Sequence, residues 1–334
     1  MKIGVFKGFS DNHLKAVEAC KDIGVEYEVV DILSADWIKN VQESGCDGFF
    51  CSSTTISQEK KTILDERYFF VSQIMKRPIY PDYLGLFIHE NKRNMAAWLE
   101  VNNYPHAKTK VFTNKKEASA YLEKCSYPIV VKANVGSAAS KVRIIDSKMK
   151  AKRMLSKCFP YKDDYRFAPI NLGFIYNTKV KGVSFPDLHN PQKDYLLVQE
   201  YIPEVMHEWR IIKIGNSYFG HQKLFKGEFA SGSGLVGWID PPKHLLLTVK
   251  EICDKGGFLS MNVDFFETKN GEFFVNELQA SFGSKNDSQM YINDKPGRYK
   301  YIDGEFVFEE GFFNTFGSNR LKIEHFIDIL TKNK

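Results

Sequence analysis

A chain of 334 residues is long enough for about two domains and a substantial core. Its 43% hydrophobic and 26% charged residues exclude a disordered chain. A formal charge of +5 without a long Lys/Arg block argues against a nucleic-acid or membrane surface and suits a small anionic ligand. The six cysteines, at 20, 46, 51, 125, 158 and 253, form no CxxC pair, which argues against zinc and a disulfide framework. No run approaches the eighteen apolar residues of a membrane span, and the start has only a short apolar stretch, so a cytoplasmic location is expected.

The chain opens with Lys2–Lys7 as a strand, Asn12–Ile23 as a helix and Val25–Val30 as a second strand. A further helix and the run Gly48–Cys51 follow. This alternation predicts a parallel α/β unit. A long helix from about Ser57 to Lys76 leads to the punctuated Arg77–Pro81. The next block carries a helix over Lys92–Asn102, a strand over Lys108–Phe112, a helix over Lys115–Lys124 and an apolar strand over Tyr127–Lys132. Loops around short strands are expected from Phe159 to Lys193, then a strand from Tyr195 to Glu200.

Near the end, Met261–Gln279 reads as two strands joined by a type I′ Asn270-Gly271 turn, which needs φ > 0 at both central residues. A two-residue loop sets Lys269 against Glu272, Asp264 against Glu277 and Asn262 against Gln279. Period-two alternation then puts Asn262, Asp264, Val275, Glu277 and Gln279 on one face. Opposed carboxylates destabilise a sheet unless a cation lies between them, and two acids with an amide oxygen suit Mg²⁺. The plain alternative is a surface hairpin whose acids sit in water.

Lys132 ends its strand and precedes a loop of small residues, Ala133 to Ser140. Such a loop lets backbone N–H groups close on phosphate while the lysine supplies charge. Leu197–Pro203 followed by His207–Gly215 reads as strand, bend and strand, with Glu208 placed to accept from ribose hydroxyls. The eight histidines show no HExxH spacing.

Taken in order, the strand-end lysine, the small-residue loop, the apolar hinge ending in Gln199-Glu200 and the acid pair followed by an amide resemble the ATP-grasp superfamily. The likeness spans roughly residues 90–283 and is to carboxylate–amine ligases such as the RimK and D-alanine–D-alanine ligase types. It implies an α/β fold, α+β in the ATP-binding part: an ATP-grasp fold preceded by an N-terminal parallel α/β domain. The expected divisions are 1–88 for that domain, 89–195 for the central ATP-grasp part with the phosphate loop, and 196–334 for the part with the metal site.

The same resemblance implies the roles. Lys92 and Lys132 would contact ATP phosphates, and Gly136, Ser137 and the rest of the loop to Ser140 would close over them. Glu200, Tyr201 and Ile202 would line the adenine pocket, and Glu208 would hold the ribose. Asp264, Glu277 and Gln279 would hold two Mg²⁺ ions, with Mn²⁺ a substitute. The chain departs from the pattern in having Gln279 where the family has Asn and Asn262 where it has Arg. The glycine-rich stretch Phe225–Gly234 also lacks an arginine; Lys223, Lys226 or Arg210 would replace that charge, and Lys132, Arg210 and Lys226 are the catalytic candidates.

The activity implied is ATP-dependent activation of a small carboxylate as an acyl phosphate, releasing ADP, and its joining to an amine. Small-molecule acid and amine partners are expected, with no nucleic acid and no membrane, and a homodimer is left open. A phosphotransferase and a non-catalytic ATP-binding protein are the alternatives.

Overall fold

Four strands form a wholly parallel sheet in the order β2-β1-β3-β4: β1 (Lys2–Lys7), β2 (Glu26–Asp31), β3 (Gly48–Phe50) and β4 (Ile79–Tyr80). The run Ile3 to Phe6 of β1 is buried throughout, as expected of a strand covered on both faces. One face packs Phe6 and Phe49 with Leu64 and Tyr68 of helix α3 (Gln58–Phe69). The other packs Ile3, Val5 and Ala16 of α1 (His13–Ile23) against Ile323, Phe326 and Leu330 of the last helix, Asn319–Lys332. In this computed structural model residues 1–52, 57–136, 142–159, 192, 194–225, 227 and 234–332 are described. Ser57 caps α3 by accepting from the Lys60 N–H at 3.2 Å, and the expected long helix continues as a π-helical turn over Phe70–Ile74.

A second, antiparallel sheet has the order β5-β8-β6-β7, from β5 (Thr109–Phe112), β6 (Ile129–Lys132), β7 (Val142–Ile145) and β8 (Leu196–Glu200). Its core adds Ala118 and Leu122 of one helix and Ala151 and Leu155 of another.

The third sheet runs β13-β12-β9-β10-β15-β14, with β11 (Val236–Gly237) beside β10 and β16 (Glu305–Glu310) beside β15 (Lys295–Ile302); β14 is Tyr291–Ile292. Its central members are β9 (Val205–Ile214), β10 (Ser217–Lys223), β12 (Ser260–Thr268) and β13 (Phe273–Gln279). Alternation along β12 sends Met261, Val263 and Phe265 into the core with Leu246 and Val249 of the helix Lys243–Gly256. Asn262 and Asp264 are thereby left on the opposite face.

The β12–β13 connection departs from the expected turn in an informative way. Thr268 N–H donates to Glu272 O at 3.0 Å and Gly271 N–H to Thr268 O at 2.9 Å, so three residues, Lys269 to Gly271, form the loop and Lys269 does not oppose Glu272. Only Gly271 is left-handed (φ 76), where a type I′ turn would have needed Asn270 as well. The register is therefore one residue off at Phe265↔Val275, and a bulge restores Asp264↔Glu277 and Asn262↔Gln279. Val275, expected on the acid face, turns into the core beside Phe265 instead.

Candidate active site

The inner face of the third sheet carries charge across four adjacent strands. Asp264 opposes Glu277 on one side and Arg210 on the other; Arg210 opposes His221, and Glu208 opposes Lys223. Asp264 is fully buried. Arg210 grips it with both prongs, Nε to Oδ1 at 3.0 Å and an Nη to Oδ2 at 3.1 Å, and Lys223 Nζ donates to Oδ2 at 2.8 Å. Burial alone would raise the Asp264 pKa, but Arg210 and then Lys223 outweigh it and hold the carboxyl below the usual range. Lys223 also pairs with Glu208, whose pKa is raised by burial against that opposing pull.

Glu277 differs from its neighbour. Among the described residues it forms no ion pair. Gln279 Oε1 accepts from Asn262 Nδ2 at 3.2 Å, while Asn262 Oδ1 is buried without a hydrogen-bond partner among the described residues. Asp264, Glu277 and Gln279 supply two carboxylates and an amide oxygen, a donor set that fits a hard divalent cation. No group of three or more His, Cys, Asp or Glu side chains that could hold a metal occurs among the described residues.

The second sheet brings the lysines. Lys132 is the last residue of β6, and its pKa is pushed down to about 8, first by burial and then by Lys92, while Glu277 and Glu208 pull it upward. Lys132, Lys92, Glu208 and Glu277 therefore share one electrostatic neighbourhood. Lys92 starts the helix Lys92–Val101, which Asn91 caps by accepting from the Asn94 N–H at 3.1 Å. Its Nζ donates to Gly136 O at 2.9 Å, and its N–H to Asn134 O at 3.2 Å. Asn134 Oδ1 accepts from the Arg93 N–H at 2.9 Å, so the small-residue loop is tied to a helix N-terminus, which favours anions.

Glu200 ends β8, its N–H donating to Lys108 O at 2.8 Å, and Tyr201 and Ile202 follow in the bend between β8 and β9, with Tyr201 exposed. Glu208, expected at the ribose, lies inside the charged row with Lys223 instead of standing free. Of the three candidates for the missing arginine, Arg210 and Lys223 both touch Asp264. Ser137 and Lys226 lie outside the described residues. His89 was not singled out from the sequence. It is buried with Nε2 4.0 Å from a Glu90 carboxylate oxygen, neither ring nitrogen has a hydrogen-bond partner among the described residues, and burial followed by Lys61 lowers its pKa to about 3. Nothing in its local sequence distinguishes it from an ordinary core histidine.

A parallel α/β unit followed by two antiparallel sheets that converge lysines and carboxylates is the ATP-grasp architecture. It matches the solved RimK-domain ATP-grasp protein of Sphaerobacter thermophilus with a TM-score of 0.51 at 13% identity, over 83% of this chain and 90% of that one. No family model matches the chain. Among curated proteins it is 24% identical over 279 residues to the alpha-aminoadipate–LysW ligase LysX of Saccharolobus solfataricus, covering 79% of this chain and 86% of that protein. It is also 34% identical over 167 residues to a phosphoribosylamine–glycine ligase of Clostridium acetobutylicum, covering 48% of this chain and 34% of that protein. The resemblance to carboxylate–amine ligases of the ATP-grasp superfamily is thus borne out.

Proposed function

We propose that the protein is an ATP-dependent ligase that activates a small carboxylate and joins it to an amine. The observation that carries this reading is that Glu277 lies opposite Asp264 on paired strands and also acts on Lys132, the lysine on which Lys92 acts with the opposite sign. In the reaction, a carboxylate oxygen of the acid attacks the γ-phosphorus of ATP and the bond to the β-phosphate oxygen breaks, leaving an acyl phosphate and ADP. The amine nitrogen then attacks the carbonyl carbon, phosphate leaves, and the amine loses a proton.

The chain's own work is positioning and charge compensation. Lys92 and Lys132 are assigned to the phosphates, Gly136 and its loop to covering them, and Glu200, Tyr201 and Ile202 to the adenine. Glu208 is assigned to the ribose, Lys223 then remaining with Asp264. Asp264, Glu277 and Gln279 would hold Mg²⁺, which when bound neutralises charge on the phosphates. Arg210 fixes Asp264 in register for that task.

Incubation with ATP, Mg²⁺ and a panel of acids, with and without hydroxylamine, tests the reading. Acid-dependent ADP release with trapped hydroxamate is the expected result. ADP release with a phosphorylated alcohol and no hydroxamate would indicate a kinase, and nucleotide binding with no turnover a non-catalytic protein.

A further inference from the structure

Five residues beyond Gln279, the chain enters the wall of a cavity of about 630 Å³. Two cations line it from separate elements: Lys15 on α1, and Lys285 in the loop after β13. Neither has an ion-pair partner among the described residues. Lys15 Nζ lies 3.6 Å from where a side chain on Gly317 would begin, so its ammonium reaches the Gly317 wall of the cavity. Asp287 also lines the cavity, leaving the cations in excess.

The walls are held in place from beneath. Asn314 Nδ2 donates to Asn286 O, and Gln289 Nε2 donates to Asn314 Oδ1 at 3.0 Å. Gln289 is 1% and Asn314 4% exposed, so this network fixes the loops on both sides of the cavity before any ligand arrives. Between the cavity and the acid pair, Lys322 Nζ donates to Phe282 O at 2.7 Å, pinning the connecting segment. Five residues separate Gln279 from Ser284 in the cavity wall, which places that wall at most ~17 Å of chain from the acid pair.

We propose that this cavity binds an anionic group, carboxylate or phosphate, belonging to the acid substrate but distinct from the carboxylate that is activated. The substrate is then a doubly anionic acid, its far end held by Lys15 and Lys285 and its reacting end at Glu277. This deepens the ligase reading and rests on it for the word substrate; the anion site itself does not.

Calorimetry on the ligand-free protein tests it, with inorganic phosphate and glutarate as probes. At least one should bind at millimolar concentration, and Lys15→Met/Lys285→Met should weaken that binding at least ~10-fold, the effect of ~1.4 kcal/mol. ATP binding should be unchanged in that variant, and probe binding unchanged in Lys132→Met. Absence of binding by both probes, binding that survives in the double variant, or binding lost in Lys132→Met would overturn the proposal. None of these outcomes depends on turnover, so failure of the ligase reading would be seen separately, in the acid panel.

Discussion

Asp264 and Glu277 face each other across β12 and β13, yet only Asp264 is neutralised by its neighbours. Arg210 and Lys223 satisfy both of its oxygens, whereas Glu277 has no ion pair among the described residues. One acid of the pair is therefore built into the fold, and the other is kept available. The two should respond to mutation in opposite ways.

Replacing Asp264 with Asn leaves Arg210 and Lys223 facing each other in a largely buried place without their shared anion. Breaking a buried pair of this kind costs ~3–5 kcal/mol. Urea denaturation of ligand-free protein should show a loss of that order, and Mg²⁺-dependent ATP binding should disappear. A loss below ~1 kcal/mol would mean the charged row contributes little to folding.

Glu277→Gln should do the reverse. Opposed like charges destabilise a strand pair by ~0.2–1 kcal/mol, so the neutral variant should be as stable as the parent or slightly more so. Acid-dependent ADP release should nevertheless fall at least ~100-fold, the scale seen when an electrostatic contributor to a transition state is removed. Retained turnover would place the metal elsewhere.

Lys132, with a pKa near 8, is a cation at pH 7 and loses its charge as pH rises. Affinity for a non-hydrolysable ATP analogue should fall between pH 7 and 9, and Lys132→Met should bind weakly with a flatter profile there. The sign for folding is opposite. The folded value lies below the unfolded 10.5, so between about 8 and 10.5 the unfolded chain holds more protons and this group's contribution to stability rises with pH.

Lys322 carries a similar signature for a structural reason. Burial pushes its pKa to about 7, and its Nζ has a backbone carbonyl but no carboxylate partner among the described residues. Stability of the ligand-free protein should rise from pH 7 toward 10.5, each unit of difference being worth ~1.4 kcal/mol at most. In Lys322→Met that rise should be smaller, as read from melting temperatures across the range. An unaltered slope would show that the lysine stays protonated.

The acid pair was legible because the one-residue error in the turn is undone by a bulge before the carboxylates are reached. The turn itself was misread: Asn270-Gly271 signals a two-residue loop, but only Gly271 takes the left-handed conformation, and the loop has three residues. The bulge beyond Val275 cancels the error at the carboxylates and exposes it at Val275, which points the other way. Arg210 against Asp264 was beyond reach because it depends on β9 lying beside β12, fifty residues away in the chain, and strand order across such distances leaves no local trace. The buried state of Glu208 was hidden for a more local reason: β10 was not read from the sequence, and Lys223 meets Glu208 only through the β9–β10 hairpin. The parallel order of the first sheet was readable from strands alternating with helices, whereas its partnership with the final helix was not.

That partnership bears on how the chain comes off the ribosome. Ile3 and Val5 are made long before Ile323, Phe326 and Leu330, which cover them. Until that helix is made one side of the first sheet stays wet and adhesive, so a nascent-chain binder should associate with this polypeptide throughout the interval.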